Sequence, residues 1–149
     1  MKQLIGLLSL AMLAIVVTAA APAEPTTTEW TSIDQLPEKL KKEPRPVIVE
    51  MYANWCGWCK KMDKTTFADP EIASLVNESV YVVKINGETT DKFTFLGKET
   101  SGREMVKALG IQGYPTFILV DNDQERLEIV SGYKTSPQLK RIITKLAKK

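Results

Sequence analysis

The chain of 149 residues has no histidine and only two cysteines, Cys56 and Cys59. A zinc site ordinarily recruits four Cys, His or carboxylate ligands, so a self-contained metal centre lacks its ligands here. Charge of one sign is also missing. Twenty Lys and Arg oppose 18 Asp and Glu, and a chain so near neutrality offers no basic footprint for nucleic acid. No apolar run reaches the about 20 residues that a membrane helix needs; the longest extends from Leu4 to Val17. With 44% hydrophobic and 26% charged residues, the balance is that of one ordinary globular domain rather than a disordered chain.

Met1-Lys2-Gln3, the apolar run from Leu4 and the small residues Thr18-Ala19-Ala20-Ala21-Pro22-Ala23 have the layout of a secretory signal peptide. Residues 1–23 are therefore expected to be removed on export to the bacterial periplasm. No cysteine near the cleavage region is available for lipid attachment. Residues 24–29, rich in Pro and Thr, read as a flexible linker, and residues 30–149 as the folded domain.

Within that domain Ser32 or Asp34 is placed to cap a short helix through about Lys42, with Ile33, Leu36 and Leu40 on one face. Val47 to Tyr52 is a nearly continuous apolar run of strand length, as expected for a strand covered on both faces. A helix is expected from the Cys56 region to about Phe67. Another opens at Asp69-Pro70, the acid as cap and the proline at the first helical position. Strands follow at Val80 to Ile85, Thr116 to Val120 and Arg126 to Val130. Further helices are expected at Ser101 to Leu109 and from Ser136 onward. Asn86 to Thr100 is long for a connection in a compact domain. Its Phe93, Phe95 and Leu96 either dock a partner or pack back on the domain, and packing back is the commoner fate of apolar loop residues.

The cysteines are separated by two residues, in Trp55-Cys56-Gly57-Trp58-Cys59-Lys60. A bridge closing so small a loop restricts the unfolded chain little and makes a poor staple. A metal shared between two copies of the pair would need a dimer. Redox exchange needs one thiolate to attack a disulfide and a second thiol to resolve the mixed disulfide, and Cys-x-x-Cys where a strand meets a helix supplies both. At the helix start Cys56 meets free N–H groups and the positive end of the dipole, which favour its thiolate. Cys56 is thus expected to be the exposed nucleophile and Cys59 the more buried resolving thiol.

From about Ile33 to Leu146 the sequence resembles the thioredoxin superfamily. Val47 to Lys60, including Ala53-Asn54-Trp55-Cys56-Gly57-Trp58-Cys59-Lys60, is similar to the family's strand and active-site motif. Gly113-Tyr114-Pro115-Thr116 is similar to its cis-proline loop. Cys59-Lys60-Lys61-Met62 with Thr66-Phe67-Ala68-Asp69-Pro70-Glu71 looks most like the C-terminal periplasmic domain of the Dsb-system transmembrane disulfide reductase and its exported relatives. The resemblance implies an α/β thioredoxin fold. It would have a central mixed sheet of four to five strands flanked by helices, and an extended loop before the helix that precedes the cis-proline loop. It also implies roles. Glu50 would take and return the proton of Cys59, with Lys84 as its partner; the alternative is a carboxylate and lysine paired for structure alone. Pro115 and Tyr114 would receive the substrate backbone beside Gly57. Trp55 is expected as semi-buried support and Trp58 as an exposed rim.

Gly57-Trp58 places no cation between the cysteines, whereas strong oxidases of the family carry a His there, so reduction of protein disulfides is the expected direction. Oxidase or isomerase activity, or a non-catalytic chaperone or adaptor on the same fold, are the alternatives. No cofactor is expected. Electrons would come from a membrane-embedded thiol donor, and the chain is expected to act as a monomer.

Overall fold

Six consecutive residues, Val47–Tyr52, form β1 of a computed structural model that describes residues 27–148. Five of them are buried, because β1 is an inner strand of a four-stranded sheet and both faces are covered. The signal peptide expected over residues 1–23 and the first part of the linker lie outside the described residues. Residues 27–29 of that linker are anchored rather than free. Thr28 Oγ1 donates to the Phe67 carbonyl at 2.7 Å, Asn77 Nδ2 donates to the Thr27 carbonyl, and Glu29 N–H donates to Asn77 Oδ1. Trp30 then bridges Val82 in parallel fashion.

The helices along the chain are α1 (Leu36–Lys42), α2 (Gly57–Lys64), α3 (Pro70–Ser79), α4 (Gly102–Ala108) and α5 (Ser136–Leu146). The remaining strands are β2 (Tyr81–Asn86), β3 (Phe93–Phe95), β4 (Lys98–Thr100), β5 (Thr116–Val120) and β6 (Leu127–Ser131). The main sheet runs β2-β1-β5-β6. β2 is parallel to β1, whereas β5 and β6 continue antiparallel. The period of two sends Ile48 to one face, with Met62, Phe67, Ile72, Phe117 and Ile143. Val49 and Met51 go to the other, with Leu36, Val83, Met105 and Ile118. α2, α3 and α5 thus cover one side, and α1 with α4 the other. This is the expected mixed sheet, with four strands.

Local chemistry sets the helix ends. Asp69 accepts the Glu71 N–H at 2.9 Å with Pro70 at the first turn, as expected. Ser101 caps α4, and Thr135 rather than Ser136 forms a capping box with Gln138. Ser32 accepts the Gln35 N–H just ahead of α1. α2 stops three residues short of Phe67 because buried Thr66 turns out of the helix to donate to the Lys134 carbonyl at 2.7 Å.

The expected extended loop is replaced by a small hairpin, β3 paired antiparallel with β4. Its two-residue turn, Leu96-Gly97, has both residues at positive φ, 47° and 76°, the backbone of a primed hairpin turn. Phe95 is buried, and Phe93 and Leu96 pack on the α1/α4 side of the core. Packing back is what these three residues do. Gly102, at the start of α4, lies so close to the Asn86 carbonyl that no Cβ fits.

Candidate active site

The strand-to-helix junction holds the two cysteines. Cys56 has extended backbone (φ −68°, ψ 100°) and is the N-cap of α2. Its Sγ accepts the Cys59 N–H at 3.1 Å, within the limit for a sulfur acceptor. Cys59, one turn on, closes a disulfide with Cys56, the Cα atoms 5.4 Å apart. That N–H and the positive end of the helix dipole both face the Cys56 sulfur. The expected difference in exposure is not found. Cys56 is 3% exposed and Cys59 2%, because Ala53, Tyr52 and Tyr114 close around the pair. Backbone hydrogen bonding, rather than exposure, distinguishes the two sulfurs.

On the face of the sheet that α2 covers, β1 places Glu50 opposite Lys84 of β2 and Phe117 of β5. Glu50 is 1% exposed, and neither carboxyl oxygen has a hydrogen-bond partner among the described residues. Burial pushes its pKa up to about 7; Lys84 opposes that rise and Asp63 adds to it. Lys84 Nζ is 3.6 Å from Glu50 Oε2 but 2.5 Å from Asp63 Oδ1. It also sits over the rings of Trp30 at 4.7 Å and Tyr52 at 5.5 Å. The lysine is therefore shared, and Asp63 of α2 is its nearer partner. Asp63 is a member of the site that sequence reading missed. Its signal was its place four residues after Cys59, hence on the same helical face.

The Tyr114-Pro115 peptide is cis, and Thr116 Oγ1 donates to the Gly113 carbonyl at 2.7 Å across that loop. Pro115 is buried and Tyr114 half-buried. The Tyr114 ring lies over Gly87, where a Cβ would collide with it. Burial, with Glu88 nearby, pushes the Tyr114 phenol up.

The tryptophans reverse one expectation. Trp55 is not semi-buried support; it is 67% exposed, more than Trp58 at 56%. Tyr114 already fills the space beside the disulfide, so Trp55 stands on it edge to face, centroids 5.9 Å apart. Its indole N–H donates to Glu88 Oε1 at 2.9 Å. Trp58 forms the opposite rim against Tyr133, 5.5 Å away, with Lys61 Nζ over both rings. Gly57 lies between the two rims with open space around it. The structure thus brings Cys56, Cys59, Gly57, Trp55, Trp58 and Tyr114 around one surface. Glu50 and Lys84 are joined to α2 through Asp63, and Pro115 follows Tyr114 in the adjoining loop.

Among the described residues no group of three or more His, Cys, Asp or Glu side chains could share a metal ion, and no helix is long and apolar enough to cross a membrane. Residues reading Cys-x-x-Cys at a helix start and bonded to each other constitute a thiol-disulfide redox centre.

Comparison with known proteins gives the same family. The chain is 27% identical over 104 residues, 69% of its length, to the thiol:disulfide interchange protein DsbD of Salmonella typhi, and it spans 17% of that protein. Among solved structures it is similar to the oxidised C-terminal domain of DsbD from Neisseria meningitidis. That match has 24% identity and a TM-score of 0.56, over 76% of this chain and 89% of that one. It is also similar to a structure described as DsbH oxidoreductase, with 16% identity and a TM-score of 0.63, over 87% and 92% of the two chains. At these identities the structural likeness speaks for the fold. The family model described as thioredoxin-like domain matches residues 33–147, and the chain therefore belongs to the thioredoxin-like domain family.

Proposed function

We propose that the chain is an exported protein-disulfide reductase that cycles Cys56 and Cys59 between dithiol and disulfide. The observation that carries this reading is the Cys56 sulfur held at the start of α2 by the Cys59 N–H and bonded to Cys59; the buried Glu50 carboxyl on the preceding strand, raised to about 7, supports it. The Cys56 thiolate attacks one sulfur of a substrate disulfide. A Cys56–substrate bond forms, the substrate S–S bond breaks, and the first substrate sulfur leaves as a thiolate that takes a proton from water. Glu50 then accepts the Cys59 proton. The Cys59 sulfur attacks Cys56, forming the intramolecular disulfide and releasing the second substrate thiolate. Two electrons have passed to the substrate, and the protein is oxidised.

Glu50 suits the proton step because a carboxyl near 7 holds and releases a proton at neutral pH. Lys84, tethered by Asp63, is a positioning residue that limits how far burial raises Glu50. Tyr114 and Pro115 present the substrate backbone, with Trp55 and Trp58 as rims and Gly57 leaving room between them. The dithiol is restored by a membrane-embedded thiol donor, the arrangement suggested by the relationship to DsbD. Residues 1–23 serve as the export signal, and the domain proper acts in the periplasm.

An insulin-reduction assay tests the chemistry: wild type is active and Cys56→Ser inactive, whereas equal rates would sink the redox role. Equilibration with glutathione tests the direction. A potential near about −270 mV supports reduction, and one near about −120 mV overturns it.

A further inference from the structure

We infer that the outer face of α2 beside the disulfide is a docking surface for an acidic segment flanking the substrate's disulfide. The inference rests on the redox function proposed above and names the kind of polypeptide that surface selects. Lys60, Lys61 and Lys64 are exposed, and with Gly57 and Thr65 they line a shallow cleft of about 370 Å³. The cleft begins at Gly57, the residue next to Cys56, so a chain seated in it lies alongside the attacking sulfur.

Lysines on a helix are ordinarily solvated and neutralised by neighbours. None of the seven ion pairs among the described residues uses these three. The acid of the same helix, Asp63, is engaged by Lys84 and leaves the lysine stripe without a counter-charge. Lys61 is moreover positioned by two rings, its Nζ 4.9 Å from the Trp58 centroid and 5.6 Å from that of Tyr133. Tyr133 is itself tied to α2 by its hydroxyl, 3.1 Å from Thr65 Oγ1. A pre-placed cation with an aromatic wall loses less side-chain freedom when a carboxylate arrives than a free lysine would.

The other rim has the opposite character. There Trp55 is bonded to Glu88, and Tyr114 occupies the space above Gly87. The redox surface is thus polarised, basic along α2 and acidic at Glu88. Uncompensated charges of one sign along a binding cleft favour partners of the opposite sign, chiefly through encounter rate and register. Carboxylates on the α2 side of the substrate cystine complement the three lysines, whereas a basic segment there meets repulsion.

The experiment compares two disulfide-bridged peptides of equal length, one with Glu and one with Lys flanking the cystine, as substrates of the full chain, with dithiothreitol returning the Cys56–Cys59 disulfide to the dithiol after each turnover and the uncatalysed rate subtracted. The readout is the ratio of kcat/KM for the acidic peptide to that for the basic peptide. This ratio is then compared between wild type and the triple variant Lys60→Glu, Lys61→Glu, Lys64→Glu. Intrinsic reactivity of each peptide cancels between the enzymes. A change in Cys56 acidity moves both peptides alike and cancels as well. The ratio is expected to be about tenfold or more higher in wild type than in the triple variant at low salt. It is expected to converge in about 1 M salt, where the screening length is about 3 Å. A control with the same charge change away from the redox surface, Lys42→Glu, Lys98→Glu, Lys107→Glu, is expected to keep the wild-type ratio. Ratios within twofold of each other in wild type and triple variant would overturn the docking surface while leaving the redox function standing. Turnover of neither peptide by wild type above the Cys56→Ser background would overturn the redox function and the docking surface with it.

Discussion

Replacing Glu50 by Gln removes the one group among the described residues whose protonation the fold shifts strongly, and its surroundings set the consequence. Glu50 is 1% exposed and its carboxyl oxygens are without hydrogen-bond donors among the described residues, so burial raises it from 4.5 to about 7. At about 1.36 kcal/mol for each tenfold change in proton affinity, that shift corresponds to about 3 kcal/mol. The sign follows from linkage. Between pH 4.5 and 7 the folded protein keeps a proton that the unfolded chain has lost, so this contribution to stability is present below about 4.5 and lost as pH rises through about 7. Urea unfolding of the oxidised protein at pH 4.5 and pH 8 measures it. With a slope of about 1.5 kcal/mol per molar, the wild-type midpoint is expected to fall by roughly 2 M more than that of Glu50→Gln. Using the difference between the two proteins cancels titrations elsewhere and any fixed cost of the buried amide. The same substitution is expected to slow the attack of Cys59 on the mixed disulfide at pH 7 by roughly a hundredfold, the lower end for a lost general base. Parallel midpoint curves for the two proteins would refute the buried, proton-holding Glu50.

Three further outcomes are expected. Lys84→Met removes the cation that holds Glu50 down, so the pH dependence of the resolving step, followed by stopped-flow, is expected to move to higher pH; an unmoved profile would mean that Lys84 serves Asp63 alone. Gly87→Ala pushes the Tyr114 ring off its seat and is expected to lower kcat/KM several-fold with less than about 1 kcal/mol lost in urea unfolding, since a half-buried ring can swing aside. Gly102→Ala sets a methyl against the Asn86 carbonyl and is expected to cost about 1 to 3 kcal/mol in the same assay, with the redox site unaltered.

Most of the scaffold was legible where local chemistry is strong. β1 announces itself through a run of apolar residues broken by a single acid, and that break is Glu50. Asp69-Pro70 marks the start of α3, and the cysteine spacing marks the redox centre. What was not legible depends on distant partners. The exposure of Trp55 is set by Tyr114, whose seat exists because residue 87 is glycine. Asp63 joins the site through a lysine on a different element. The near-equal burial of the cysteines arises from Tyr52 and Tyr114 closing over them. The β3–β4 hairpin escaped notice for a local reason: a leucine at φ 47° opens its turn, where Asn or Asp would have given it away. The anchoring of residues 27–29 likewise depends on Phe67 and Asn77, about forty to fifty residues away in sequence.

The most direct test of the redox cycle is to trap its intermediate. Reduced Cys59→Ser and Cys56→Ser proteins are each mixed with a disulfide peptide, and the adducts are quantified by mass spectrometry at neutral pH. Rapid, stable adduct formation is expected for Cys59→Ser, which retains the helix-capping nucleophile and lacks the resolving thiol, and little for Cys56→Ser. Equal trapping by both, or faster trapping by Cys56→Ser, would contradict the assignment of Cys56 as the attacking sulfur.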